Sequence, residues 1–175
     1  MAKPKSTLIP MAHDALFKAF LSDVTIARDF FEAHLPVSLK TCCDLSTLKI
    51  QPTAFVDEDL KQHVADILYS VEIKGKAGYL YCVIEHETQP SPLTAWRMLR
   101  YSVATMKQHL EQHGGVVLPL VVPLLFYRGE RSPYPYSTSV LDCFADKALA
   151  KTLWLTPYPL VDLSVIPDDE LRRHK

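Results

Sequence analysis

The chain has 175 residues, 48% hydrophobic and 22% charged, which suits one globular domain with a real core rather than two small ones. A formal net charge of −1 excludes a globally basic nucleic-acid binder, so any such contact must come from a local patch, with acids gathered elsewhere. The cysteines Cys42, Cys43, Cys82 and Cys143 form no C-x-x-C pair, which argues against a zinc site or a disulfide scaffold. No stretch resembles a signal peptide, and no apolar run reaches the ~20 residues of a membrane helix. A cytoplasmic protein with reduced thiols is expected.

Residues 1–10 are basic, hold two prolines and read as a tail. From Ala12 to Leu35 the apolar residues Leu16, Phe17, Phe20, Leu21, Val24, Ala27, Phe31 and Leu35 recur every three or four positions, predicting one amphipathic helix. Pro36 ends it, and His13 or Asp14 caps its start. Leu48, Ile50, Phe55 and Val56 mark a first strand, interrupted by Pro52 and followed by the acidic turn Asp57-Glu58-Asp59. Val64–Lys74 and Tyr79–Glu87 then read as a β-hairpin, with Gly75-Lys76-Ala77-Gly78 as a four-residue turn bounded by glycines.

After the break Thr88-Gln89-Pro90-Ser91-Pro92, a second helix is expected over Leu93–Gln112. Trp96, Leu99, Val103, Met106 and Leu110 supply its apolar stripe, and Gly114-Gly115 stops it. Val116–Tyr127 is nearly all apolar and predicts a strand buried on both faces, with Pro119 or Pro123 at a bulge or strand end. Leu141–Leu153 reads as a short helical piece, and residues 171–175 as the opening of a truncated helix. The order helix, three strands, helix, strand defines a mixed α/β domain over residues 11–170.

The chemistry concentrates in the hairpin. Residues two apart in a strand share a face, so Glu85 and Glu87 face one way and His86 the other. A register pairing Lys74 with Tyr79 sets Asp66 opposite Glu87 and Leu68 opposite Glu85. Three carboxylates then share one face, within ~5 to 8 Å of one another. Like charges opposed in apolar segments need a compensator, and a hard divalent cation fits: Mg²⁺, or Mn²⁺ or Ca²⁺ in its place. Such an ion activates water and offsets charge on a phosphate under attack. Individually, each acid is more often a solvated or arginine-paired side chain.

An acid in one hairpin strand, then Glu-x-(Lys or substitute) in the next, then a helix, resembles the PD-(D/E)XK nuclease core. His13-Asp14-Ala15-Leu16-Phe17-Lys18, Ala65-Asp66-Ile67-Leu68, Ile84-Glu85-His86-Glu87, Arg97-Met98-Leu99-Arg100-Tyr101 and the run from Leu118 to Tyr127 are similar to the recombination-promoting nuclease family, also called YhgA-like transposases. The resemblance implies Mg²⁺-dependent endonucleolytic cleavage of DNA linked to recombination. Asp66 and Glu85 would bind metal and position 87 would complete the site. It also implies that His13 and Asp14 border the active site, and that Arg97 and Tyr101, i,i+4 neighbours on the second helix, lie beside it and meet substrate.

Two departures stand out. Position 87 is Glu where the superfamily has Lys and the family tends to have Gln. Glu87 would instead hold a second metal, or Gln89 would take the polar role. Lys74 cannot serve, being about 26 Å from Asp66 along the strand at ~3.3 Å per residue; Lys18 is the weaker substitute. The chain also lacks the further helices with which the family continues. Cutting both strands requires two sites, so a homodimer on DNA is expected. Two other readings are a degraded nuclease fold that binds DNA or a protein without cutting, and an HD-type phosphohydrolase, for which His13-Asp14 lacks companion ligands.

Overall fold

A computed structural model describes residues 17–53, 67–85, 90–127, 129 and 131–165, with the backbone alone described at 84 and 85. The chain divides into two compact units at Thr138–Ser139.

The first unit is built on a four-stranded mixed sheet of order β1-β2-β3-β4. The strands are β1 (Cys43–Gln51), β2 (Ile67–Ile73), β3 (Lys76–Glu85) and β4 (Leu120–Tyr127). β1, β2 and β3 are antiparallel neighbours, whereas β4 runs parallel to β3. A parallel neighbour needs a crossover, and helix α3 (Thr94–His113) provides it. Helices α1 (Val24–His34) and α2 (Val37–Lys40) precede the sheet.

Two cores follow from strand alternation. On one face Ile67, Tyr69, Val71, Ile73, Leu80 and Cys82 pack against Leu21, Ala27 and Phe31 of the N-terminal helical region. On the other, Leu68, Tyr79, Tyr81 and Val83 pack against Met98 and Tyr101 of α3. The start of β2 and the centre of β3 are thus covered on both faces, which is why residues 67–69 and 79–83 are buried without interruption, whereas Ser70 and Glu72 further along β2 are not.

Several expectations change. The single helix from Ala12 to Leu35 is broken: residues 17–22 are helical, the chain bends at Asp23, and α1 starts afresh. The Asp23 carboxylate accepts from the backbone N–H groups of Thr25 and Ile26 at 2.8 and 3.3 Å, an N-cap that makes the new start favourable inside a continuous apolar stripe. The expected start at His13-Asp14 lies outside the described residues. β1 begins at Cys43, five residues before Leu48. Its register shifts between Asp44 and Lys49, a bulge that disguises the alternation. Phe55 and Val56 lie outside the described residues.

The hairpin turn has two residues, not four. Ile73 pairs with Lys76, and the turn is Lys74-Gly75, at φ 50° and 72°. Both are left-handed, the conformation that matches the twist of a tight hairpin. Gly78 therefore sits inside β3, opposite Val71 and beside Leu120 of β4. A Cβ there would meet Ile73 Cδ1 at 2.5 Å and the Leu120 carbonyl at 3.1 Å, so close approach, not turn geometry, explains this glycine.

Helix α3 ends as expected, with Gly114 left-handed at φ 63°, but it buries a different face. Ala95, Met98, Tyr101, Ser102 and Thr105 are buried, whereas Trp96 is 41% and Val103 54% exposed. Ser102 and Thr105 donate their hydroxyls to the carbonyls of Met98 and Tyr101, each at 2.9 Å. That hydrogen bonding lets polar residues enter the core. β4 is the terminal strand of the described sheet, with no residue buried. A terminal position accommodates Pro123 in mid-strand, opposite Tyr81; Pro119 precedes the strand.

In the second unit the expected continuous piece from Leu141 to Leu153 is a 3₁₀ turn, Val140–Cys143, followed by α4 (Lys147–Trp154). Asp146 separates them by capping α4, accepting from Leu149 N–H at 2.9 Å. Lys147 pairs with Asp142. Trp154 is 52% exposed and leans on Phe144 at 5.9 Å.

Candidate functional site

The register fixes what the hairpin can do. Leu68 lies opposite Tyr81, four residues earlier in β3 than Glu85, the partner expected for it. The shift follows from the shorter turn. Four is an even number, so the shift keeps the expected parity; in the described part of β3, positions 79, 81 and 83 belong to the α3 side of the sheet. Asp66 and Glu87, and with them their direct opposition, lie outside the described residues, as do His13, Asp14, His86 and Gln89.

Position 85 is the last residue of β3 and pairs with Tyr127, the last of β4. The two parallel strands therefore finish together. Helix α3 returns in the opposite direction, so its N-terminal turn, with half-buried Arg97, belongs to this end of the sheet. In open α/β sheets the crevice at the carboxyl ends of parallel strands is where ligands bind. The loop after β4 closes against this end. Tyr127 donates its hydroxyl to the Arg131 carbonyl at 2.8 Å and meets the Tyr134 ring edge-on at 4.8 Å.

Tyr101 is fully buried and stacks on Tyr81 with ring centroids 4.9 Å apart. Its contribution is to seat α3 on the sheet; it offers no surface to a substrate. Lys18 is half-buried on the helical turn 17–22, where its carbonyl accepts the Ser22 hydroxyl at 2.7 Å. Among the described residues no group of three or more His, Cys, Asp or Glu side chains is placed to hold a metal ion, and no helix is long and apolar enough to cross a membrane.

Two histidines of α3, His109 and His113, are brought together with Tyr79 of β3. His109 Nδ1 lies 2.8 Å from the Tyr79 hydroxyl, and its ring stacks on His113 at 4.3 Å. His113 Nδ1 in turn donates to the His109 carbonyl at 3.0 Å. Burial, then the neighbouring His113, lowers the His109 pKa, and burial raises that of Tyr79. Both partners are therefore held neutral. The spacing of four between the histidines on a helix was legible; that β3 brings a tyrosine to them was not.

The first unit is thus an α/β domain with helices on both faces of a mixed sheet and an acid at the shared end of its parallel strands. The chain belongs to the family described as "Putative transposase, YhgA-like", whose model matches residues 11–175. It is 49% identical over 163 residues to recombination-promoting nuclease RpnA of Escherichia coli (strain K12), covering 93% of this chain and 56% of that protein. It is 50% identical over 163 residues to RpnC of the same strain, covering 93% and 54%. The inactive recombination-promoting nuclease-like protein RpnE, also of that strain, is 47% identical over the same length, again covering 93% and 54%. The chain spans about half the length of these relatives. No solved structure matches it.

Proposed function

We propose that this chain is the catalytic part of a metal-dependent DNA endonuclease acting in recombination, with a PD-(D/E)XK core. The observation that carries the reading is position 85 at the common end of two parallel strands, where its backbone pairs with Tyr127. The match to proteins named recombination-promoting nucleases supports it along 93% of the chain. Asp66 has the parity of Leu68. Continuing the ladder by one pair would set it opposite Val83 and diagonal to Glu85, a separation of ~7–8 Å that one ion between the two carboxylates can span.

In this reading Asp66 and Glu85 hold a hard cation through carboxylate oxygens, with Glu87 on the same strand completing the set. Two or three acids with no sulfur or imidazole suit Mg²⁺ or Mn²⁺. When bound, the ion lowers the pKa of water and offsets negative charge on the phosphate. Arg97, at the N-terminal turn of α3, steadies the phosphate with its guanidinium, aided by the positive end of the helix. His13, Asp14, Gln89 and Lys18 line the approach. Cutting both strands then takes two copies of the site, hence a homodimer on DNA.

The test is supercoiled plasmid incubated with the chain in Mg²⁺, Mn²⁺, Ca²⁺ or EDTA. Nicked and linear forms should accumulate with Mg²⁺ or Mn²⁺ and not with EDTA; intact plasmid under every condition would defeat the proposal. A second reading, a nuclease fold that binds without cutting, is favoured by Glu87 and by the 47% identity to a relative named inactive. Calorimetry distinguishes the two, since a fold that has lost its site takes up no Mg²⁺ or Mn²⁺.

A further inference from the structure

At the hairpin end of the sheet, away from position 85, a groove of about 280 Å³ opens on the α3 side. Its walls come from four elements: Thr47 and Lys49 of β1, Ser70 and Glu72 of β2, Tyr79 of β3, and His109 and His113 of α3. It exists because α3 packs over β3 and β4, leaving the same face of β1 and β2 open. Lys49 pairs with Ser70 across that open face, and Gln51 donates its amide to the Ser70 hydroxyl at 3.0 Å. The wall is therefore a row of amide, hydroxyl and ammonium groups on exposed sheet, where a structural role would call for apolar cover.

We propose that this groove is a second contact for the DNA backbone, in which Lys49, Ser70 and the Tyr79–His109–His113 array receive phosphate remote from the bond being cut. This rests on the nuclease reading above. The chemistry fits a phosphodiester: Lys49 is a fixed cation, Ser70 carries a hydroxyl, and in the tautomer in which Tyr79 donates its hydroxyl to Nδ1, His109 carries its proton on Nε2. The spacing fits as well. Tyr79 and position 85 are six residues apart on β3, about 20 Å at ~3.3 Å per residue. Duplex DNA rises ~3.4 Å per base pair along its axis, so on a duplex lying along β3 the two contacts would be about six base pairs apart. Glu72 is the one carboxylate in the lining, and it opposes an anion, which gives the test a sign.

Binding of a fluorescently labelled DNA duplex to the full chain is measured by anisotropy in EDTA over a series of salt concentrations. Lys49→Ala should lower the slope of log K against log salt by about 0.9 and weaken binding about fivefold near 0.15 M salt. Lys49→Arg should keep both, and Glu72→Gln should tighten binding. In cleavage with Mg²⁺, Lys49→Ala should raise KM and leave kcat unchanged, with thermal stability as in the parent because Lys49 is exposed. If the parent binds and cuts DNA but Lys49→Ala and Glu72→Gln bind with the parent's slope and affinity, the groove is not a DNA contact. If the parent neither binds nor cuts, the nuclease reading falls and the groove falls with it.

Discussion

The location of the acids depends on the hairpin register, and Gly78→Ala interrogates that register directly. A Cβ at position 78 would lie 2.5 and 2.6 Å from Cδ1 and Cγ1 of Ile73 and 3.1 Å from the Leu120 carbonyl oxygen. Ordinary contact begins near 3.4 Å, so the Ile73 side chain must move by roughly 1 Å and β4 by a few tenths. Overpacking of this kind costs about 1–3 kcal/mol, offset by ~0.5–1 kcal/mol of glycine chain entropy. The net loss is ~1–2 kcal/mol, or roughly 2–8 °C in Tm. The assay is thermal unfolding of Gly78→Ala, Ile73→Ala and the double variant. Removing Cδ1 and Cγ1 of Ile73 takes away most of the clash, so the penalty at 78 should shrink by about 1 kcal/mol in the double-mutant cycle. Gly75→Ala is the control: nothing lies within 4 Å and the cost comes from φ 72°, so it should be indifferent to residue 73. Strict additivity of Gly78→Ala and Ile73→Ala would mean that residue 78 does not lie under Ile73, and the observed register would be wrong.

Tyr69 is fully buried and donates its hydroxyl to the carbonyl of Leu21; burial, then Cys82, pushes its pKa up. Tyr69→Phe strands that carbonyl and should cost ~1–3 kcal/mol. Because the bond ties the helical turn carrying Lys18 to the sheet, DNA cleavage should fall with it; a variant as stable and active as the parent would contradict this. His109 should titrate below the usual histidine value when followed by NMR. Its folded-state pKa is lowered, so its contribution to stability is present above pH ~6.5 and is lost as pH falls through the lowered value. The charged and titratable groups around it are Tyr79, His113, Lys49, Lys76 and Glu72. Titration at or above ~6.5 would overturn the assignment.

The sequence exposed more of the strands' order than of their pairing. The alternation of helix and strand, the stop at Gly114 and the hairpin itself were legible because period, glycine and proline signals are local. Turn length was not. Gly75 and Gly78 look alike in sequence, yet one supplies a left-handed φ and the other makes room for Ile73 and Leu120. The buried face of α3 was misread for a related reason. Trp96, Leu99, Val103, Met106 and Leu110 form the more apolar stripe, but the face that is buried carries Met98 and Tyr101 with the small residues Ala95, Ser102 and Thr105. The Ser102 and Thr105 hydroxyls are satisfied within the helix, so hydropathy hides their burial. For the site, the expected pairing of Leu68 with Glu85 was off by four residues, because the turn is two residues long rather than four. The Tyr79–His109 contact spans 30 residues and no local pattern announces it.

The central claim is that Asp66 and Glu85 together hold the ion that drives phosphodiester cleavage. The most direct measurement is plasmid cleavage in saturating Mg²⁺ by the parent chain beside Asp66→Asn and Glu85→Gln, isosteres that keep shape and remove charge. Both substitutions should abolish cutting while the circular-dichroism spectrum and melting curve stay those of the parent. Cleavage by either variant at the parent's rate would show that the reaction does not run through these carboxylates.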